Sequence, residues 1–297
     1  MSRCEMSVIK SLLLSLSLSI GATAAFAADE ALLSSKISQR HLIIEPQLNL
    51  AGKSNPIQVA LTLDACSGDV DHRILDVLVR EKIPATLFVT ARWLRRNQAA
   101  IEVLKAHPDL FAIENHGAEH VPAITVLKTM YGIPTAVTPA AIEAEVKGGA
   151  DKITAIFGKQ PQWYRDATAR YSTDAVRQIE GMGYKVAGYS LNGDRGASLP
   201  AATVAKRISY AKDGDVIISH INQPKRVSGA GVAEGILTLK KKGVQFRLLR
   251  DMPARAAPNV VSETAPPNES VSQKENKSHS KVKTKPASAE PVPVSAQ

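Results

Sequence analysis

Short apolar runs alternating with amphipathic helical patterns limit this chain more than any other feature. The runs are "IQVALTL" (57–63), "ATLFVT" (85–90), "LFAIEN" (110–115), "YKVAGYS" (184–190), "DVIISH" (215–220) and "VQFRLL" (244–249), with a shorter one at "PQWYR" (161–165). Between them lie "HRILDVLVREK", "AAIEVLKAHP", "PAAIEAEVKGGADKITAIFG", "STDAVRQIEGMG", "AATVAKRISYAKDG" and "GAGVAEGILTLKKKG". Several of these patterns stop at Gly, the residue that most readily closes a helix in the left-handed conformation. Strands this short and this apolar are buried on both faces. Repeated strand–helix–strand order then predicts an α/β fold, a parallel sheet covered by helices.

The two ends of the chain read differently. Arg3 and Lys10, the apolar "SLLLSLSLSIGA" and "AFA" at Ala25–Ala27 form a secretory signal pattern with cleavage after Ala27. The apolar stretch is shorter than the roughly 20 residues that span a bilayer, and no later segment is long enough. The expectation is therefore a signal peptide at 1–27, no transmembrane segment after its removal, and a secreted or periplasmic protein. Residues 28–252 are read as one domain, and the Pro, Ala, Ser and Lys-rich 253–297 as a disordered tail. Cys4 lies in the signal, which leaves Cys66 as the single thiol and excludes an internal disulfide. The formal charge of +9 is scattered along an exported chain, so no nucleic-acid partner is expected.

Chemistry collects at the strand ends. Asp64, His116, Arg165 and His220 each fall at or just past the C-terminal end of an apolar run. In parallel α/β folds that edge carries the site, because the following loops converge there. In "HGAEH", a helical turn would put His116 and His120 on one face, ready to share a metal; the plainer reading is two unrelated surface histidines. Arg165 and Asp166 can be a simple ion pair, and Asp194 in "SLNGDRG" a turn former. Cys66 sits in "CSG", which reads as a turn, and is taken as a small buried hydrophobe rather than a ligand or nucleophile.

Taken in order, these motifs resemble the polysaccharide deacetylase family, the NodB-like carbohydrate esterases, over about residues 56–250. The resemblance implies a distorted (β/α) barrel of NodB type, with about seven parallel strands and outer helices. It implies metal-dependent hydrolysis of N-acetyl groups from an amino-sugar polymer or oligomer such as peptidoglycan or an exopolysaccharide. "TLDACSG" puts Asp64 in the place of the catalytic base, and "HGAEH" makes His116 and His120 ligands of a divalent metal, Zn2+. "YRDATARY" puts Arg165 where an arginine orients the base. "SLNGD" supplies Asp194 as the accompanying acid, and "IISH" makes His220 the general acid. An oxyanion would face a backbone N–H from the loop after Thr90 or the loop after Arg165. Trp163, Tyr164 and Tyr189 are candidate sugar-stacking residues, with core packing as the competing reading, and residues 121–140 a candidate groove rim.

Two departures stand out. Ala65 occupies the place where the family usually has a metal-binding aspartate, and Asp166, Ala167 and Ala169 replace the usual prolines and glycine of the third motif. The third ligand is left open between Asp64 and a loop acid, Asp71 ahead of Asp69, although Asp71 also suits a helix cap. The alternative is a catalytically weak or inactive carbohydrate-binding protein that retains the fold.

Overall fold

The computed structural model describes residues 42–251, 253–256 and 260–261, so the expected signal segment and most of the expected tail lie outside the described residues. In chain order the first elements are β1 (Ile43–Glu45), β2 (Leu48–Leu50), β3 (Gln58–Ala65), α1 (His72–Arg80), β4 (Ala85–Val89), α2 (Ala91–Arg96), α3 (Gln98–Ala106) and β5 (Phe111–Asn115). A hairpin of β6 (Thr129–Met130) and β7 (Ile133–Pro134) precedes α4 (Pro139–Phe157), β8 (Trp163–Tyr164), β9 (Tyr171–Ser172), α5 (Thr173–Gly181) and β10 (Lys185–Val186). Then come β11 (Leu191–Asn192), α6 (Ala201–Ser209), β12 (Val216–His220), α7 (Ser228–Lys241), β13 (Gln245–Arg247), β14 (Ala254–Ala256) and β15 (Val260–Val261).

The main sheet runs β10-β8-β5-β4-β3-β12-β11, with β13 also paired to β3, and every pairing in it is parallel. It curls into an open half-barrel flanked by helices, the distorted barrel expected from the motifs. Strand alternation explains how β3 does two jobs. Val59, Leu61, Leu63 and Ala65 pack in the largest apolar cluster with Ile74, Leu75 and Leu78 of α1 and Ile236 and Leu239 of α7. Each Val, Leu or Ile buried there contributes roughly 1.5–3 kcal/mol. The alternate residues face the other way: Ala60 packs with Leu48, Phe88, Trp163 and Val216, and above it come Thr62 and then Asp64. One face of the strand is thus glue, and the other turns polar toward its C-terminal end.

Three details differ from the sequence expectation. The run 184–190 is not one strand: β10 ends at Val186, and β11 pairs with β12 instead. Gly188 lies in the gap, and a Cβ there would stand 1.9 Å from the Pro46 carbonyl oxygen, so the segment carrying β1 and β2 presses on it. That segment, 42–50, was not expected to form strands. The chain beyond 252 still pairs, β14 with β2 and β15 with β1, so the boundary expected at 252 is too early. Strands β1 and β2 have backbone edges to satisfy, and the following chain supplies partners.

Candidate functional site

Two ion-paired groups stand side by side at the C-terminal ends of β3 and β12, where Asp64 and His220 are paired in register. Asp64 is 3% exposed, and its Oδ1 accepts from the Arg165 Nη1 at 2.8 Å. Arg165 is wholly buried. It also donates to the Thr62 hydroxyl and the Gly188 carbonyl, both at 2.9 Å, and lies 4.1 Å above the Phe88 ring. Burial pushes the Asp64 pKa up, but Arg165, His116 and His220 outweigh it and hold the carboxyl below its ordinary value. At His220, the backbone N–H donates to Asp194 Oδ2 at 2.7 Å, and Nδ1 lies 2.9 Å from Asp194 Oδ1. A carboxylate only accepts, so Nδ1 carries a proton and Nε2 faces away from Asp194. Burial opposes the charged ring, yet the buried Asp194 carboxylate raises its pKa well above the ordinary histidine value.

Beside this pair, Cys66, His116 and His120 bring one ligand atom each to within 4.8 Å of one another. Cys66 continues the alternation of Thr62 and Asp64, which is the period-two signal that the turn-like "CSG" obscured. The cysteine is buried, as expected, but against histidines rather than apolar chains: its Sγ lies 3.5 Å from His116 Nε2. Its place beside two imidazoles makes Cys66 a candidate metal ligand, where the sequence reading took it for a small buried hydrophobe. Burial raises the thiol pKa, but His120 and His116 hold it well below the ordinary range, favouring thiolate.

The residues fit a divalent metal. His116 Nδ1 lies 2.8 Å from the Arg165 carbonyl oxygen, which fixes a proton there and turns Nε2 toward Cys66, the usual outer support of a metal-binding imidazole. The buried His120 Nε2 has no hydrogen-bond partner among the described residues. Desolvation lowers the His116 pKa, but Asp64 and Cys66 raise it, to about 9, so metal entry displaces a proton.

The histidine loop does not take the expected helical form. Residues 116–121 form a turn, with Gly117 at φ 92° and His120 at φ 70°, and the two imidazoles meet edge-on with centroids 5.0 Å apart. Buried Glu145 of α4 accepts from the backbone N–H groups of Glu119, His120 and Val121. Asp166 accepts from Ala123 and Thr168, so a residue that replaces a usual motif proline pins the same loop further on. It is no partner of Arg165's guanidinium, which Asp64 takes. Sequence reasoning missed Glu145, which lies 25 residues from His120 in an ordinary amphipathic helix.

Other expectations fall away. Asp71 caps α1 and is bound by Arg73, and exposed Asp69 is taken by Arg96, so neither acid turns toward the histidines. Trp163 and Tyr164 are buried in apolar clusters and offer no ring to a sugar. Tyr189 is half-buried, and its hydroxyl bonds Glu45. The N–H groups of Ala91 and Arg92 are committed to Gly117 and Ala118, and that of Asp166 to the Tyr171 hydroxyl, so these are not free for an oxyanion. No helix among the described residues is long and apolar enough to cross a membrane.

Curated proteins offer no significant match. Among solved structures, wild-type BA3943 from Bacillus anthracis, described as a family 4 carbohydrate esterase pseudoenzyme, is 16% identical over 66% of this chain and 64% of its own, with TM-score 0.52. A BA3943 mutant described as having restored enzymatic activity is 17% identical over 66% of each chain, with TM-score 0.51. A mutant of the peptidoglycan deacetylase PdaC from Bacillus subtilis is 24% identical over 66% of this chain and 89% of its own, with TM-score 0.52. At these identities the likeness concerns the fold, and this chain spans just under two thirds, 64–66%, of the BA3943 chains. A model of the polysaccharide deacetylase family matches residues 51–187, from before β3 to the end of β10, with Asp64, both histidines and Arg165 inside the match. Residues 51–187, just under half of the chain, are thus similar to the polysaccharide deacetylase family.

Proposed function

We propose that this protein hydrolyses N-acetyl groups of an amino-sugar polymer, slowly, at a divalent metal held by Cys66, His116 and His120. The observation behind the reading is one convergence: a buried carboxylate kept ionised, a carboxylate-paired imidazole and three ligand atoms at adjoining strand ends. Zn2+ suits a thiolate with two imidazoles. When bound, such an ion supplies Lewis-acid polarisation of the acetamide carbonyl. Asp64, held by Arg165, takes the proton of the attacking water. His220, charged beside Asp194, gives a proton to the nitrogen as the C–N bond breaks, so acetic acid and the free amine leave. One proton taken and one given balance the reaction. Exported as its N-terminal pattern suggests, the protein would meet peptidoglycan or an exopolysaccharide.

Slowness follows from the donor set. A thiolate gives more charge to its ion than a carboxylate does, which leaves less Lewis acidity for the substrate. A second reading, sugar binding without turnover, is favoured by Ala65, whose methyl is packed in the core where the family pattern has an acidic ligand. The test is acetate release from chitin oligomers and peptidoglycan by the purified protein, with and without EDTA. Metal-dependent release is expected. No release, with oligomer binding unchanged in Asp64→Asn and His220→Ala, overturns hydrolysis in favour of binding alone.

A further inference from the structure

Glu145 has no part in the acid–base machinery and no ion-pair partner among the described residues. The residue is only 6% exposed, and its carboxylate is aimed at the histidine loop. Oε1 accepts from His120 N at 2.8 Å and Val121 N at 3.0 Å, and Glu119 N lies 3.1 Å from both oxygens. Three successive N–H groups turned to one anion are an anion-binding nest, here filled by a side chain of the same molecule. That arrangement demands unusual backbone. His120 has φ 70°, in the left-handed region, at a cost of about 1–2 kcal/mol for a residue with a Cβ. Gly117 leaves the carboxylate its space: a Cβ there would stand 2.2 Å from Glu145 Oε1. The outcome of the strained turn is specific. His120 comes edge-on to His116 with its buried Nε2 bonded to nothing in the described protein.

We propose that Glu145 is a positioning residue for the metal centre, holding His120 in the left-handed conformation that presents Nε2 to the ion. The proposal rests on the metal reading of this site. Support of this kind acts through the backbone of a ligand rather than through its ring, and loss of outer supports typically weakens metal affinity about 10–100-fold.

The experiment is Zn2+ titration of the purified chain by competition with a chromophoric chelator, with thermal unfolding of the metal-free protein alongside. Glu145→Ala is expected to lose affinity about 10–100-fold. Glu145→Gln can still accept two of the three N–H bonds but turns its own NH2 toward the third, and is expected to lose about threefold to tenfold. Glu119→Ala, which removes an exposed side chain bound to Arg95 and leaves the backbone N–H, is expected to bind Zn2+ like the parent. If Glu145→Ala does not fold, Glu145→Gln decides alone. Affinity within twofold of the parent in every folded Glu145 variant, with only the unfolding temperature lowered, makes Glu145 structural and overturns the proposal. A parent protein that takes up no Zn2+ overturns the metal reading itself, whatever the variants do.

Discussion

The acid–base half of the site and its metal half are built by different means. Asp64 and His220 sit on neighbouring strands of the main sheet, and each is fixed by a side-chain ion pair, to Arg165 and Asp194. Cys66, His116 and His120 lie beyond strand ends, and what fixes them is mostly backbone: the Arg165 carbonyl on His116 and three N–H groups on Glu145 for the His120 turn. Strand geometry leaves little freedom in the first half, and Asp64 and Arg165 lie within the stretch that the family model matches. Loop geometry leaves more in the second, and there the candidate ligands differ from the family pattern, with a thiol two residues after Asp64 and Ala65 where that pattern has an acid.

If the halves are separate in this way, variants should separate them. Asp64→Asn and His220→Ala are expected to lower acetate release about 100- to 10,000-fold while leaving Zn2+ affinity near the parent value, read by activity assay and metal titration on the same samples. A parallel collapse of Zn2+ affinity would mean that Asp64 is itself a ligand and that the halves are one.

Arg165 tests how the first half is held. Arg165→Met strands a buried carboxylate and is expected to cost about 3–5 kcal/mol in denaturant unfolding. The double variant Arg165→Met with Asp64→Leu removes both charges and is expected to recover most of that loss. Equal losses in the single and double variants would show that the arginine's stacking on Phe88 matters more than its charge.

The smallest expected effect concerns an acid outside both halves. Glu114 of β5 is buried and accepts from the backbone N–H groups of Gln162 and Trp163 at the start of β8. Burial is the largest influence on it and raises its pKa from 4.5 to about 7. The folded pKa lies above the unfolded one, so the stability it contributes is complete below about pH 4.5 and is lost as pH rises through about 7. Glu114→Gln is expected to flatten that fall, on the order of 2–3 kcal/mol, in unfolding curves taken across pH 4–8. An unchanged fall would place the titration elsewhere.

The comparison also explains what could be read from the sequence. Unbroken apolar runs such as 57–63 and 85–90 announce β3 and β4, because burial on both faces leaves a composition signal. The two-residue strands β8, β10 and β11 are too short to carry one, and "YKVAGYS" looks continuous although Gly188 marks the place where another segment crosses it. Asp64, His116, Arg165 and His220 were visible because parallel strands deliver their ends to one edge. Cys66 was legible in principle through alternation with Asp64, but the following Ser–Gly suggested that the strand had already turned away. For Trp163 and Tyr164 the sequence left sugar stacking and core packing both open, and the fold buries both rings. Glu145 left no local trace, since its role depends on a contact made across 25 residues to a turn whose left-handed backbone no side-chain pattern reveals.

A metal held by Cys66, His116 and His120 would carry one metal–sulfur bond, which has its own optical signature. Titration with Co2+ under anaerobic conditions tests for that bond most directly, because a thiolate bound to Co2+ gives an intense near-ultraviolet charge-transfer band that oxygen and nitrogen ligands do not give. One equivalent of Co2+ is expected to produce that band in the parent protein. Cys66→Ser is expected to abolish it and to weaken binding on the order of 100-fold, the share of one ligand in the binding energy of a four-ligand site. Stoichiometric binding without the band, at the same affinity in Cys66→Ser, would contradict the account and return the third ligand to a carboxylate.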